Sequence, residues 1–281
     1  MQTSATPPIP VPVPTPIRAP KVGNRPAAGF GDLLRSEFFK LRSVRSTLWT
    51  LLAAVVANIV LAALAAVFLP GRLSAQDLAT VDSIRLSLAG LHLSQIAVGV
   101  LGVLAVTSEY STGMIRATLA AVPRRRMLLA AKTLAFAATA LVAGLLACFA
   151  AYFAFQVPLS AGPLKSSITD PGVARAVAGG GVYLAVLGLL GLGLGAVLRS
   201  SAGAIATLFG LLFVPVILLD LLPHAWRTTI GPYLPMNAGD AIYSLHRETG
   251  GLNPAAGLGV LSLYTAVALA LGFILIKHRD A

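Results

Sequence analysis

Six runs of about twenty predominantly apolar residues, 48–69, 86–107, 133–157, 176–198, 202–219 and 255–276, constrain this chain more than anything else in it. Wound as α-helix, a run of that length covers about 30 Å, the thickness of the hydrocarbon layer of a bilayer. Lipid offers no water to satisfy backbone N–H and C=O groups, so such a run is predicted to cross a membrane as a helix. Composition agrees, since 57% of the residues are hydrophobic and only 11% charged, against about 25% charged in soluble domains. The expected fold class is an all-α integral membrane protein with six transmembrane helices. The fifth run is short and holds Pro215, which predicts a kink or tilt. The first begins too late for a secretory h-region and reads as a retained first helix.

The segments before the first run divide in two. Residues 1–29, opening with "PPIPVPVPTPIRAP", repeat proline too often for helix or sheet. They are expected to form a disordered, polyproline-like cytoplasmic tail, with 30–281 as the membrane domain. In "FGDLLRSEFFKLRSVRSTLW", Phe30, Leu33, Leu34, Phe38, Leu41, Val44 and Leu48 recur at helical spacing. Asp32, Arg35, Ser36, Lys40, Arg42, Ser43 and Arg45 cover much of the rest. The pattern predicts an amphipathic helix in the headgroup plane, running directly into the first span.

Basic residues fix the expected orientation. With the N-terminus inside, the inner segments hold Arg18, Lys21, Arg25, Arg35, Lys40, Arg42, Arg45, Arg116, Arg124, Arg125, Arg126, Lys132, Arg199, Lys277 and Arg279. The outer ones hold Arg72, Arg85, Lys165, Arg175, Arg227 and Arg247. The excess on one side predicts both termini in the cytoplasm. It also accounts for the net charge of +11 as topogenic, with no nucleic-acid partner required.

The predicted spans are nearly empty of ionisable groups. Glu109 and Asp220 sit at ends, and His92 and Gln95 are the main polar groups at depth. A proton- or ion-coupled carrier places titratable groups at membrane depth, so a secondary transporter is disfavoured. His92 reads as hydrogen-bonded inside the bundle, and Cys148 as a small packing residue. Gly191 and Gly195 form a GxxxG pair suited to close helix contact, within one subunit or between two. No GxxxxGK[ST] phosphate loop and no paired metal spacing occur. His224, Asp240, His246 and Glu248 share the long outer connection 220–254, whose alternative reading is a membrane-embedded enzyme or scaffold. Trp226 and Tyr233 would anchor it at the interface.

The densest charge within the apolar part lies in "TSEYSTGMIRATLAAVPRRRMLLAAK", Thr107 to Lys132. Membrane anchoring explains Arg124–Arg126. It does not require Ser108–Gly113, whereas a surface docking a cytoplasmic protein explains both parts. Glu109–Leu119 is expected to be a short helix, weakened at Gly113.

This stretch resembles the first cytoplasmic loop of ABC-2 type transporter permeases, matching at Ser108, Glu109, Tyr110, Gly113, Ile115, Arg116, Thr118, Leu119, Pro123, Arg124 and Lys132. It departs at Met114, where threonine is commoner. "RSEFFKLRSVRSTLW" resembles the family's N-terminal interfacial helix, and "LPHAWRTTIGPYLPMNAGDAI" its last outer loop. The resemblance covers residues 30–281. It implies the transmembrane subunit of an ATP-binding-cassette exporter in the plasma membrane, itself not an enzyme and without a cofactor. ATP would be bound by a separate cytoplasmic ATPase subunit, and a second permease copy or paralogue would complete the path. The resemblance implies an ATPase-coupling loop containing Glu109, Tyr110, Gly113, Arg116, Pro123 and Arg124. It also implies ATPase contact from the interfacial helix at Glu37, Lys40, Arg42 and Arg45. Glu109 and Arg116 would either contact the ATPase or brace the loop internally. The smooth spans suggest an amphiphilic or drug-like cargo.

Overall fold

The computed structural model describes residues 29–72, 74, 76, 81–114, 124–159, 162–221, 223–246 and 250–278, without the side chains of Asp220, His224, Lys277 and His278. The proline-rich tail falls outside this set. The described residues are all-helical, with no strand. In chain order the helices are α1 (Phe30–Ser43), α2 (Arg45–Phe68), α3 (Ser83–Ser87), α4 (Leu91–Ser111), α5 (Arg125–Gln156) and α6 (Val173–Leu198). They continue with α7 (Ser201–Asp220), α8 (His224–Ile230), a 3-10 turn at Gly231–Tyr233, α9 (Pro235–Tyr243) and α10 (Pro254–His278). Six of them, α2, α4, α5, α6, α7 and α10, are long and apolar enough to cross a membrane.

Four boundaries differ from the sequence expectation. The first amphipathic helix does not run into the first span, because Val44 adopts an extended conformation (ψ 104°) between α1 and α2. The second span starts at Leu91 instead of 86, since α3 ends and the chain turns at Gly90. A Cβ at Gly90 would lie 2.4 Å from the Cα of Asn58, so the corner packs directly on the α2 backbone. That span also runs on to Ser111, which makes Glu109 and Tyr110 its last turn. The third begins at Arg125, about two turns before 133. Its 32 residues correspond to about 48 Å of helix, well beyond a 30 Å hydrocarbon layer. Pro215 lies inside α7, which continues through it.

The core is organised by α6, which packs against α4, α5, α7, α9 and α10. Glycine makes this possible. A Cβ at Gly102 of α4 would sit 2.0 Å from the carbonyl oxygen of Gly188 on α6, and one at Gly191 would sit 2.3 Å from that of Gly99. The two backbones therefore touch, as small residues allow in helix pairs, and the Gly191–Gly195 pair is spent on α4 of the same chain. Cys148 is fully buried beside Gly180, as a packing residue. Buried polar side chains stitch neighbouring helices: Tyr183 donates to Gln95, Ser94 to the carbonyl of Ala54 at 3.1 Å, and Thr265 to that of Val186 at 3.2 Å. His92, expected inside the bundle, is instead exposed on its surface.

Different contacts close the two ends of the bundle. At one end lie α1, the last turn of α4, the first turns of α5 and the α6–α7 corner. At the other, Arg85 pairs with Asp240 at 3.3 Å, and Arg175 donates to the carbonyls of Ile242 and Ser244 at 3.0 and 2.8 Å. Asp82 caps α3 and also accepts from the backbone N–H of Leu245 at 2.7 Å, tying α3 to the segment after α9.

Candidate functional site

Four charged side chains from three helices meet where α1 crosses the ends of α4 and α5. Lys132 Nζ donates to Glu37 Oε2 at 2.6 Å and to Glu109 Oε1 at 2.8 Å. Lys40 Nζ donates to Glu37 Oε1 at 2.8 Å and to Glu109 Oε1 at 3.2 Å. Glu37, Glu109 and Lys132 are only 2%, 3% and 8% exposed. Two carboxylates and two ammonium groups balance, as the low local dielectric demands of buried charge. The second oxygen of Glu109, Oε2, has no hydrogen-bond partner among the described residues.

Helical geometry explains how the cluster assembles. On α1, Leu33 and Glu37 are one turn apart and form the buried face, with Lys40 three residues further on. Phe38 and Phe39, 46% and 54% exposed, face away from the bundle. On α5, Lys132 shares its buried side with Leu128, Leu129, Ala131 and Ala135. The polar face of α1 thus supplies the inward contact at Glu37, while its aromatic residues point outward. Arg42 and Arg45 are exposed near the α1–α2 break.

Next to the cluster, the Arg199 guanidinium carbon lies 5.0 Å from the centre of the Tyr110 ring, a cation–π contact. Thr107 accepts a hydrogen bond from Ser201 at 2.8 Å. These contacts fasten the end of α4 to the α6–α7 corner. The helix stops where Thr112 caps it and Gly113 enters the left-handed region at φ +68°. Glycine takes that conformation without the penalty a side chain brings. Of the expected short helix Glu109–Leu119, Glu109 and Tyr110 belong to the last turn of α4 and the chain turns at Gly113, while 115–119 lie outside the described residues. Arg116 and Pro123 lie outside the described residues. Arg124 precedes α5 and is exposed, as is Arg126.

The structure brings together Glu37, Lys40 and Glu109 from the sequence-derived residues and adds Lys132, which the motif match contained without a role. Its signal was its place beside an apolar run, where a lone ammonium needs a carboxylate partner. In the connection 220–254, Asp240 is held by Arg85 and Tyr243, and His246 is exposed. His224 begins α8, and Glu248 lies outside the described residues. No group of three metal-ligating side chains forms among the described residues.

Burial by itself raises the Glu37 carboxyl, but the Lys132 and Lys40 ammonium groups outweigh it and hold the carboxyl below its ordinary value. Burial by itself lowers the Lys40 amine, and the Glu37 and Glu109 carboxylates outweigh it and raise it. The depressed Glu37 stabilises the fold above about pH 4.3 and loses this as pH falls through its folded value. The raised Lys40 stabilises it below about pH 10.4 and loses this as pH rises through its folded value. Thermal unfolding of the chain in detergent should therefore show a plateau from about pH 5 to 10, with stability falling on both sides. A midpoint that changes steadily across that range would contradict the cluster's role.

No protein-family model matches this chain, and no curated protein matches it.

Proposed function

We propose that this chain is the permease subunit of an ATP-binding-cassette exporter of the ABC-2 type. It forms a substrate path in the plasma membrane, together with a second permease copy or paralogue. A separate cytoplasmic ATPase supplies the energy, and the permease carries no cofactor. The observation that carries this reading is the buried Glu37–Lys40–Glu109–Lys132 cluster. It locks α1 to the two helices that flank the 112–124 connector, so α1 and the ends of α4 and α5 form one mechanical unit from which the connector extends. A force applied to that unit by a closing ATPase passes to α4 and α5 as rigid-body displacement, the way packed helices transmit switching motions. The glycine seam then carries it from α4 to α6.

In this reading α1 lies in the inner headgroup layer, with Phe38 and Phe39 in lipid, and both termini are cytoplasmic. Glu109 braces the coupling loop from within, and Arg116 and Arg124 offer the contacts to the ATPase. Cysteine labelling tests the orientation, because the native Cys148 is fully buried and is replaced by alanine as background. Thr169→Cys is expected to react with an impermeant maleimide in intact cells, and Thr112→Cys only after permeabilisation. The reverse pattern would overturn the orientation. Arg116→Ala combined with Arg124→Ala is expected to release the ATPase while leaving the permease folded. Undiminished co-purification would remove the docking role from these two residues.

A further inference from the structure

The elbow between α1 and α2 presents two arginines to the outside of the bundle. Arg42 lies in the last turn of α1 and Arg45 opens α2, on either side of the extended Val44. Both are exposed, and neither has a hydrogen bond or ion pair among the described residues. Three residues of chain hold their Cα atoms within about 11 Å of each other. The carboxylates at this end are already engaged. Glu37 and Glu109 accept from Lys40 and Lys132, and Asp32 accepts from the Gly29 N–H at 3.1 Å. Residues 1–28 and 115–123, which adjoin the described part of this end, contain no Asp or Glu. Near the C-terminus Asp280 is accompanied by Lys277 and Arg279. The positive excess at the elbow is therefore fixed by the sequence itself.

Apolar surface begins one turn further along α2. Arg45, Trp49, Leu52, Val56 and Val60 recur at spacings of four and three, so they share one helix face, and all five are exposed. Trp49, 68% exposed, also walls an open groove of about 370 Å³ between α2 and α4. The other walls are Thr50 and three alanines of α2, with Leu93 and Ala97 of α4. None of these side chains is charged, and the alanines leave a narrow track between the two helices. Its volume lies within the usual span of small-ligand sites, about 300–1,000 Å³.

From this juxtaposition of unpaired arginines and an apolar groove, we propose that the elbow binds one anionic phospholipid. The phosphate lies between Arg42 and Arg45, and an acyl chain follows the α2–α4 groove past Trp49. Guanidinium groups hold phosphate oxygens through paired N–H donors, and a tryptophan ring suits the boundary between headgroup and chain. A zwitterionic head brings its own ammonium group to the same two arginines, which weakens its attraction. The site requires only that α2 crosses a bilayer, so it stands apart from the transport reading. It also gives a lipid role to Arg42 and Arg45, which the family resemblance assigns to ATPase contact.

The test uses the full chain reconstituted in bilayers, with Trp226→Phe so that Trp49 is the one tryptophan left. Bromine on lipid chains quenches tryptophan fluorescence on contact, so the readout is local to the groove. Two bilayers share one composition, mostly phosphatidylcholine with a minority of phosphatidylglycerol, and differ in which lipid carries the bromine. Per molecule present, phosphatidylglycerol is expected to quench as though enriched about tenfold beside Trp49, a gain within reach of two arginines at a membrane surface. Arg42→Gln combined with Arg45→Gln is expected to abolish the enrichment while phosphatidylcholine still quenches, which shows the groove intact. Arg72→Gln, beyond the far end of α2, is expected to leave the enrichment unchanged. Equal quenching by the two lipids with the elbow unaltered, or an enrichment retained in the double variant, would overturn the proposal. Loss of enrichment in Arg72→Gln would reduce the effect to general membrane charge and overturn the site. Trp49 quenched by neither lipid would mean that another chain, such as a second copy, covers the groove, and would overturn it as well.

Discussion

Replacing Lys132 with methionine destabilises the chain by about 3–5 kcal/mol, because it leaves the buried Glu37 and Glu109 carboxylates with one ammonium between them. The side chain keeps its length, so the loss is one of charge compensation and not of packing. Removing a second charge reverses the imbalance: in Lys132→Met with Glu109→Gln, Glu37 and Lys40 remain as a balanced pair. The double variant is therefore expected to unfold at a higher temperature than the single one, by several degrees, although it carries one more substitution. Residues in one ionic network couple in this non-additive way. Thermal unfolding of the purified variants in detergent measures it. A double variant as damaged as the sum of the two single ones would mean that the charges do not act as a unit.

The second large effect lies in the glycine seam. Alanine at Gly102 puts a methyl group 2.0 Å from the Gly188 carbonyl oxygen, and neither backbone has a flexible side chain to move aside. Relief requires α4 and α6 to separate by more than an ångström, which also disturbs the Gly191–Gly99 contact. Overpacking of this kind costs about 1–3 kcal/mol and occasionally more; with backbone on both sides, Gly102→Ala belongs at the upper end. Gly210 of α7 supplies the control, since no atom lies within 4 Å of a Cβ placed there. Gly210→Ala is expected to be neutral or to stabilise by up to about 1 kcal/mol through helix propensity. Equal tolerance of both substitutions, read as the yield of folded protein and its unfolding temperature, would contradict the seam.

The spans were legible because a twenty-residue apolar stretch has few other stable forms, and each of the six runs lies largely within a helix. Their ends were less so. Arg125 and Arg126 open α5, although the sequence placed them in the connector as anchoring charges, because hydropathy marks where the apolar run starts and not where the helix does. Glu37 fell on the polar side of an amphipathic pattern that said nothing about which neighbour that side meets. Its partner Lys132 is 95 residues away, and local periodicity carries no information about such a pair. Gly191 and Gly195 announced a close approach without naming α4 as the partner.

The central claim is that this chain works as the membrane half of an ATP-driven machine. It is tested most directly by purifying the tagged chain from its own membranes in a mild detergent and assaying the eluate for vanadate-sensitive ATP hydrolysis. The co-eluting polypeptides are identified by mass spectrometry. The account predicts a stoichiometric partner that contains a phosphate loop, and hydrolysis that co-elutes with it. An intact, folded chain that elutes without any nucleotide-hydrolysing partner would contradict it, as would one that transforms a substrate unaided.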